Sequence, residues 1–124
     1  MRLLLDTVTF IWAVASPERI SKKAMAALSN AAGEVSTISL SEIAIKQARG
    51  KLAFSKEDVL KGLSDLQLRV LPYSAEHALA LFDLPSVHGD PFDRQIIAQA
   101  LAENIPVVTA DRQFRLYRGL KVIW

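Results

Sequence analysis

Short apolar runs alternate along this chain with segments of helical spacing. Leu3-Leu4-Leu5 is the first run, three large aliphatic residues in a row, as expected of a strand buried on both faces. Residues 7–15 then read as a helix that is apolar nearly all round, ended at or just before Pro17. Residues 21–32 carry Ala24, Met25, Leu28 and Ala32 at helical spacing, and Gly33 is the natural stop. Residues 35–38 are the second predicted strand. Residues 39–48 are helical, with Gly50 closing them. Residues 55–66 form another helix, opened by Ser55 with Asp58 three positions on. Residues 68–71 are a strand ended by Pro72, and residues 74–84 a helix ended by Pro85. A loop over 85–89 leads into a strong helix over 91–103, with Ile96, Ile97, Ala100 and Leu101 on one side. Residues 106–109 are the fourth strand, 111–116 a short helical turn and 121–123 a last strand.

This alternation predicts one α/β domain: a short, mostly parallel central sheet of about five strands, flanked by helices on both faces. The 124 residues fit a single domain and can bury a core without staples. In such folds ligands bind beyond the carboxyl ends of the strands, where strand order reverses. Of 13 acidic residues, Asp6, Glu42 and Asp111 each follow a predicted strand. Asp93 opens the helix leading into the fourth strand. Each acid has a purely local explanation. Asp6 and Asp111 suit helix caps, Ser39 with Glu42 has capping-box spacing, and Asp90-Pro91-Phe92-Asp93 is a strong helix start. Together, however, parallel strands bring the four acids to one edge of the sheet. Clustered carboxylates repel unless protonated or neutralised. A divalent cation is the usual neutraliser, and hard oxygen ligands favour Mg²⁺ or Mn²⁺ over zinc.

The motifs LLLDT (3–7), SLSEIAIK (39–46), DPFDRQIIAQA (90–100) and VVTADRQF (107–114) resemble those of the PIN-domain ribonucleases. The closest likeness is to VapC-type toxins of toxin–antitoxin pairs. The resemblance runs over essentially the whole chain, and the motifs fall in the expected order. It implies a PIN domain over residues 1–124 and a Mg²⁺- or Mn²⁺-dependent endoribonuclease leaving a 5′-phosphate and a 3′-hydroxyl. It also implies a separate VapB-like antitoxin as partner and a homodimer. Carried over residue by residue, it makes Asp6, Glu42, Asp93 and Asp111 the catalytic and metal-binding acids, with Asp90 an accessory acid or only a cap. One departure is Val8, where relatives with a DPFDR motif often carry His.

Composition adds a few limits. No cysteine means no disulfide framework and no thiolate metal site, which suits a cytoplasmic protein. No apolar run approaches the roughly 18 residues of a membrane span. A net charge of +2 permits nucleic-acid binding without arguing for it. Thr7 and Thr109 flank the acids, as strand-end hydrogen bonders or as contacts to water or phosphate. Arg94 and Arg112 each follow an acid, placed to touch phosphate or to pair with the neighbouring carboxylate. Lys46, Arg49, Lys51 and Lys56 form a basic stretch that either tracks RNA or is a solvated helix face. His77 and His88 stand isolated. The apolar stretch 10–14 reads as core, with a homodimer or antitoxin contact as the sharper reading, and Trp124 closes the sheet. Two rival functions remain: a non-catalytic RNA- or partner-binding module, and a receiver-like phosphoacceptor. The receiver needs an acid ending its third strand, where this chain has Leu71-Pro72-Tyr73.

Overall fold

A computed structural model describes all 124 residues. Five strands form one sheet: β1 (Arg2–Leu5), β2 (Ala32–Ser36), β3 (Arg69–Leu71), β4 (Val107–Val108) and β5 (Val122–Ile123). Their order is β3-β2-β1-β4-β5 and every pairing is parallel. Strand order therefore reverses at β1, between β2 and β4. A receiver module has order 2-1-3-4-5, with its third strand in the middle. Here β3 is an edge strand, so that reading is excluded.

Six helices surround the sheet: α1 (Thr7–Ala15), α2 (Lys22–Ser29), α3 (Thr37–Ala48), α4 (Lys56–Asp65), α5 (Ala75–Ala80) and α6 (Pro91–Glu103). The leucine run of β1 explains why both faces are covered. Successive strand side chains point to opposite faces. Leu4 packs with Ile96, Ile97 and Ala100 of α6, and with Phe114 and Tyr117. Leu5 packs on the other side with Phe10, Val35, Ile43 and Phe54, and Leu3 with Ile20 and Ala24. α3 touches both α1 and α6. Its Ile43 joins one core while its Ile38 lies against the other, so it bridges the two faces.

Several boundaries differ from the sequence expectation. Gly33 does not stop a helix. α2 ends at Ser29, and Gly33 sits inside β2 opposite Leu3. A Cβ there would come within 2.6 Å of Leu68, so close packing is what requires the glycine. β2 ends at Ser36, two residues earlier than expected, and Ser36 itself caps α3 through Ile38 N at 3.0 Å. Ser39 is therefore no cap, and the Ser39–Glu42 capping box does not form. The helix expected over 74–84 shortens to α5 and a 3₁₀ turn at Leu81–Asp83. The Ser55–Asp58 capping box is present as read.

The apolar circumference of α1 is largely used inside the molecule. Phe10 is fully buried, Ile11 and Val14 pack on one cluster, and Trp12 and Ala13 on another. Trp124 does close the sheet, its ring 5.9 Å from Trp12. Arg19 covers Trp12 from 4.3 Å. α4 approaches α1 closely at Gly62, where a Cβ would overlap the Val14 side chain. Gly62→Ala gains about 1 kcal/mol of helix propensity, but overpacking costs about 1–3 kcal/mol. The expected outcome is a lower denaturant midpoint for Gly62→Ala alone. In a Val14→Ala background the same change should become neutral or stabilising. A stabilising single variant excludes the overlap.

Candidate active site

β1 and β4 pair as far as Leu5 and Val108. The chain then diverges, and Asp6 lies beside Thr109. The Thr109 hydroxyl donates to Asp6 Oδ2 at 2.6 Å. Asp6 Oδ1 accepts the Thr9 amide at 2.9 Å and so caps α1. The same Thr109 hydroxyl accepts the Asp111 amide at 3.0 Å. One hydroxyl thus fixes the acids that follow β1 and β4. Thr7 is turned elsewhere, donating to buried Ser39 at 2.8 Å.

The other acids arrive on helices. Asp90 caps α6, its Oδ1 accepting the amides of Phe92 and Asp93 at 2.9 and 3.0 Å. Asp111 caps the 3₁₀ turn Arg112–Leu116 through Gln113 N. Asp6, Asp90 and Asp111 therefore do act as caps, each through Oδ1. Glu42 and Asp93 cap nothing. Because α3 starts at Thr37, Glu42 sits well inside the helix with its carboxylate free of the helix end. It is buried, its Oε2 takes Lys46 Nζ at 2.6 Å, and its Oε1 is buried with no partner.

Asp6, Asp93 and Asp111, with Val8, Trp12 and Ala110, line a cleft of about 250 Å³. Glu42 and Asp90 stand around it, close enough to act on Asp93. Burial first, then the charges of Asp90, Asp6, Glu42 and Asp111, push the Asp93 carboxyl up to about 7. Burial also raises Asp6, against the hydrogen bonds from Thr109 and Thr9, and Asp111 adds to the rise. The five acids thus form one electrostatic cluster. Lys46 is its internal cation: bonded to Glu42 and stabilised further by Asp90 and Asp93, its ammonium is held above its usual range.

No three carboxylates or imidazoles are already drawn together as a closed metal cage. The donor set nonetheless fits a hard divalent cation. It is all oxygen, one buried carboxylate oxygen is unpartnered, and a lysine already supplies part of the missing positive charge. Mg²⁺ keeps several waters and needs only one or two direct carboxylates.

Of the two readings for the arginines, pairing with the neighbouring acid is not seen for either. Arg94 pairs with no acid and instead donates to Pro85 O at 2.7 Å and to the Tyr117 hydroxyl at 3.0 Å. Arg112 is exposed and without an ion pair. His77 is not isolated. It is buried, accepts Ser74 N at Nδ1 and meets Glu103 at 2.8 Å through Nε2. Glu103 in turn meets Arg2, which also forks onto buried Glu34. This network lies away from the cleft. Thr109 is a strand-end hydrogen bonder, one of the two roles its sequence position offered, and Lys46, read as part of a basic stretch, is bonded to Glu42 instead. The Glu42–Lys46 spacing of four residues within a helix was the signal that pairs them.

The family model described as PIN domain matches residues 3–120. The chain is 34% identical over 120 residues to ribonuclease VapC22 of Mycobacterium tuberculosis, across 94% of this chain and 92% of that one. Its fold is similar to that in VapBC2 from Rickettsia felis, crystallised with a DNA fragment from its promoter. There the TM-score is 0.75 and the identity 19%, over 98% of this chain and 97% of that chain. DNA-bound VapBC from Salmonella typhimurium gives 0.72 and 20%, over 98% and 96%. The chain belongs to the PIN-domain family. Within that family its likeness is to the VapC proteins, as its motifs imply.

Three consequences of the charge cluster are measurable. Protons and cations compete for a carboxylate raised to about 7. Mn²⁺ affinity should therefore fall as pH drops below about 7, by roughly tenfold per unit where one proton is displaced. In the metal-free chain the folded pKa lies above the unfolded one, so Asp93 favours folding at low pH and loses that contribution as pH rises through about 7. Calorimetric titration and thermal melts across this range check both signs. Lys46→Met removes the competing cation and should tighten Mn²⁺ binding by up to about fivefold, the worth of a half-exposed ion pair. Weaker binding in that variant contradicts the stand-in role.

Proposed function

We propose that this chain is a divalent-cation-dependent endoribonuclease and the toxin of a toxin–antitoxin pair. Asp6, Glu42, Asp93 and Asp111 hold Mg²⁺ or Mn²⁺, with Asp90 in an accessory place. The observation that carries the reading is the state of Asp93, a half-buried acid pressed on by four other carboxylates beside a cleft at the strand-order reversal. The relationship to ribonuclease VapC22 supports RNA as the substrate.

When bound, such a cation polarises the scissile phosphate and acidifies an attached water. The chain's own residues supply the rest. Thr109 sets the orientation of Asp6 and the backbone of Asp111 at once. Val8 and Trp12 form the apolar wall of the cleft. Arg49, Lys51 and Lys56 are exposed and without ion pairs, so they are available to an RNA backbone passing α3. Lys46 is committed to Glu42 and drops out of that stretch.

The likeness to VapBC structures supports a small antitoxin as the partner. An apolar groove of about 480 Å³ beside α3, with Leu40, Phe54, Val59 and Leu60 in its wall, suits an amphipathic segment of such a partner. A homodimer acting in the cytoplasm completes the reading. No helix is long and apolar enough to cross a membrane. The alternative, a non-catalytic RNA- or partner-binding module, makes the opposite forecast in the same assay.

Asp6→Asn is the decisive variant. Asparagine caps a helix about as well as aspartate, so α1 should keep its start and the melting temperature should change little. Mg²⁺-dependent RNA cleavage should be lost. Unchanged cleavage by purified Asp6→Asn contradicts the site, and no cleavage by the parent chain with either cation favours the binding module. Thr109→Val, which frees the Asp6 carboxylate to turn, should cost about 10–100-fold in metal affinity or activity.

A further inference from the structure

His88 lies in the loop before α6, yet its side chain is only 7% exposed. Its imidazole meets Tyr117 edge-on with centroids 5.4 Å apart, and Phe114 lies nearby at 6.4 Å. Its Nδ1 is 2.6 Å from the Tyr117 hydroxyl. That hydroxyl also accepts Arg94 at 3.0 Å. A guanidinium cannot accept a hydrogen bond. Buried Tyr117 has no other acceptor, so its proton goes to His88 Nδ1. The neutral ring then carries its own proton on Nε2.

Nε2 is buried and has no hydrogen-bond partner. The polar atom facing it is Asp93 Oδ2, 3.7 Å away. That is longer than a hydrogen bond, but such contacts tighten when a site fills, and a small turn of the carboxylate closes this one. Leaving a buried N–H unpaired is unfavourable, which favours that turn. Arg94 follows Asp93 directly on α6 and also holds Pro85 O. The path from Arg94 through Tyr117 and His88 therefore returns to the acid next to its origin.

We propose that His88 is a positioning residue for Asp93. Held in the Nε2–H tautomer by the Arg94–Tyr117 pair, it binds Oδ2 and leaves Oδ1 free of it. The inference rests on the metal-site reading above and adds to it the residue that fixes how Asp93 presents itself. A ligand carboxylate restrained by a second group is a recurrent feature of metal sites, and loss of that group typically costs about 10–100-fold in affinity.

Three measurements test this on the full chain. Long-range ¹⁵N NMR of the metal-free protein should show His88 with its proton on Nε2, and Tyr117→Phe should remove that preference. His88→Ala should weaken Mn²⁺ binding by about 10–100-fold. His88→Gln, whose amide N–H can replace Nε2–H, should recover most of that loss, which a merely packing role would not do. Proton on Nδ1 in the parent chain, or unaltered Mn²⁺ affinity in His88→Ala, overturns the proposal. Asp93→Asn separates the two readings. If it abolishes Mn²⁺ binding while His88→Ala does not weaken it, only the positioning role fails. If Asp93→Asn binds Mn²⁺ normally, the metal site itself fails and this inference with it.

Discussion

Beyond Leu5 and Val108 the central pair of strands stops pairing, and the first side chains past the break are Asp6 and Thr109. The site depends on that register. A one-residue slip would turn each strand's side chains to the opposite face. Thr109 would no longer face Asp6, and the leucines of β1 would exchange their two cores. The burial of Leu3, Leu4 and Leu5 against separate clusters fixes the register on both faces. The apolar core thereby sets the position of the most polar part of the molecule.

Holding acids together in that place is unfavourable, and the chain offsets the cost in two ways. Three of the five carboxylates use one oxygen on a helix start, where amide hydrogens and the helix dipole favour negative charge. Lys46 lies among the others as a fixed counter-charge. What remains uncompensated falls mainly on Asp93 and on one oxygen of Glu42, which is where an added cation has most to gain.

The sheet and most helices were legible because periodicity reports burial. Leu3-Leu4-Leu5 suits a strand buried on both faces, and α6 carries both its start signal and its apolar stripe in plain sequence. Boundaries failed where one residue type has two uses. Gly33 looked like a helix stop because glycine serves both αL turns and close packing, and only Leu68, 35 positions away in sequence, decides between them. Ser39 has capping-box spacing in sequence, but β2 ends earlier and Ser36 caps the helix instead. The acids of the site were legible as a set through strand ends and motif order. The residues that orient them were not. Thr109 was read as a strand-end hydrogen bonder without its partner, Arg94 and Tyr117 act through contacts between separate elements, and His88 shows no signal of its burial in its loop.

The division between capping and non-capping acids bears on how this chain would age if it lost its chemistry. Asp6, Asp90 and Asp111 each hold a helix start, so selection for folding alone would preserve them. Glu42 and Asp93 hold none and are electrostatic liabilities in a metal-free fold. A lineage in which the cleft served no chemistry would discard those two first, and with them Lys46. A relative that keeps the first three aspartates but lacks the other two acids would keep the helix starts of this cleft without its excess charge.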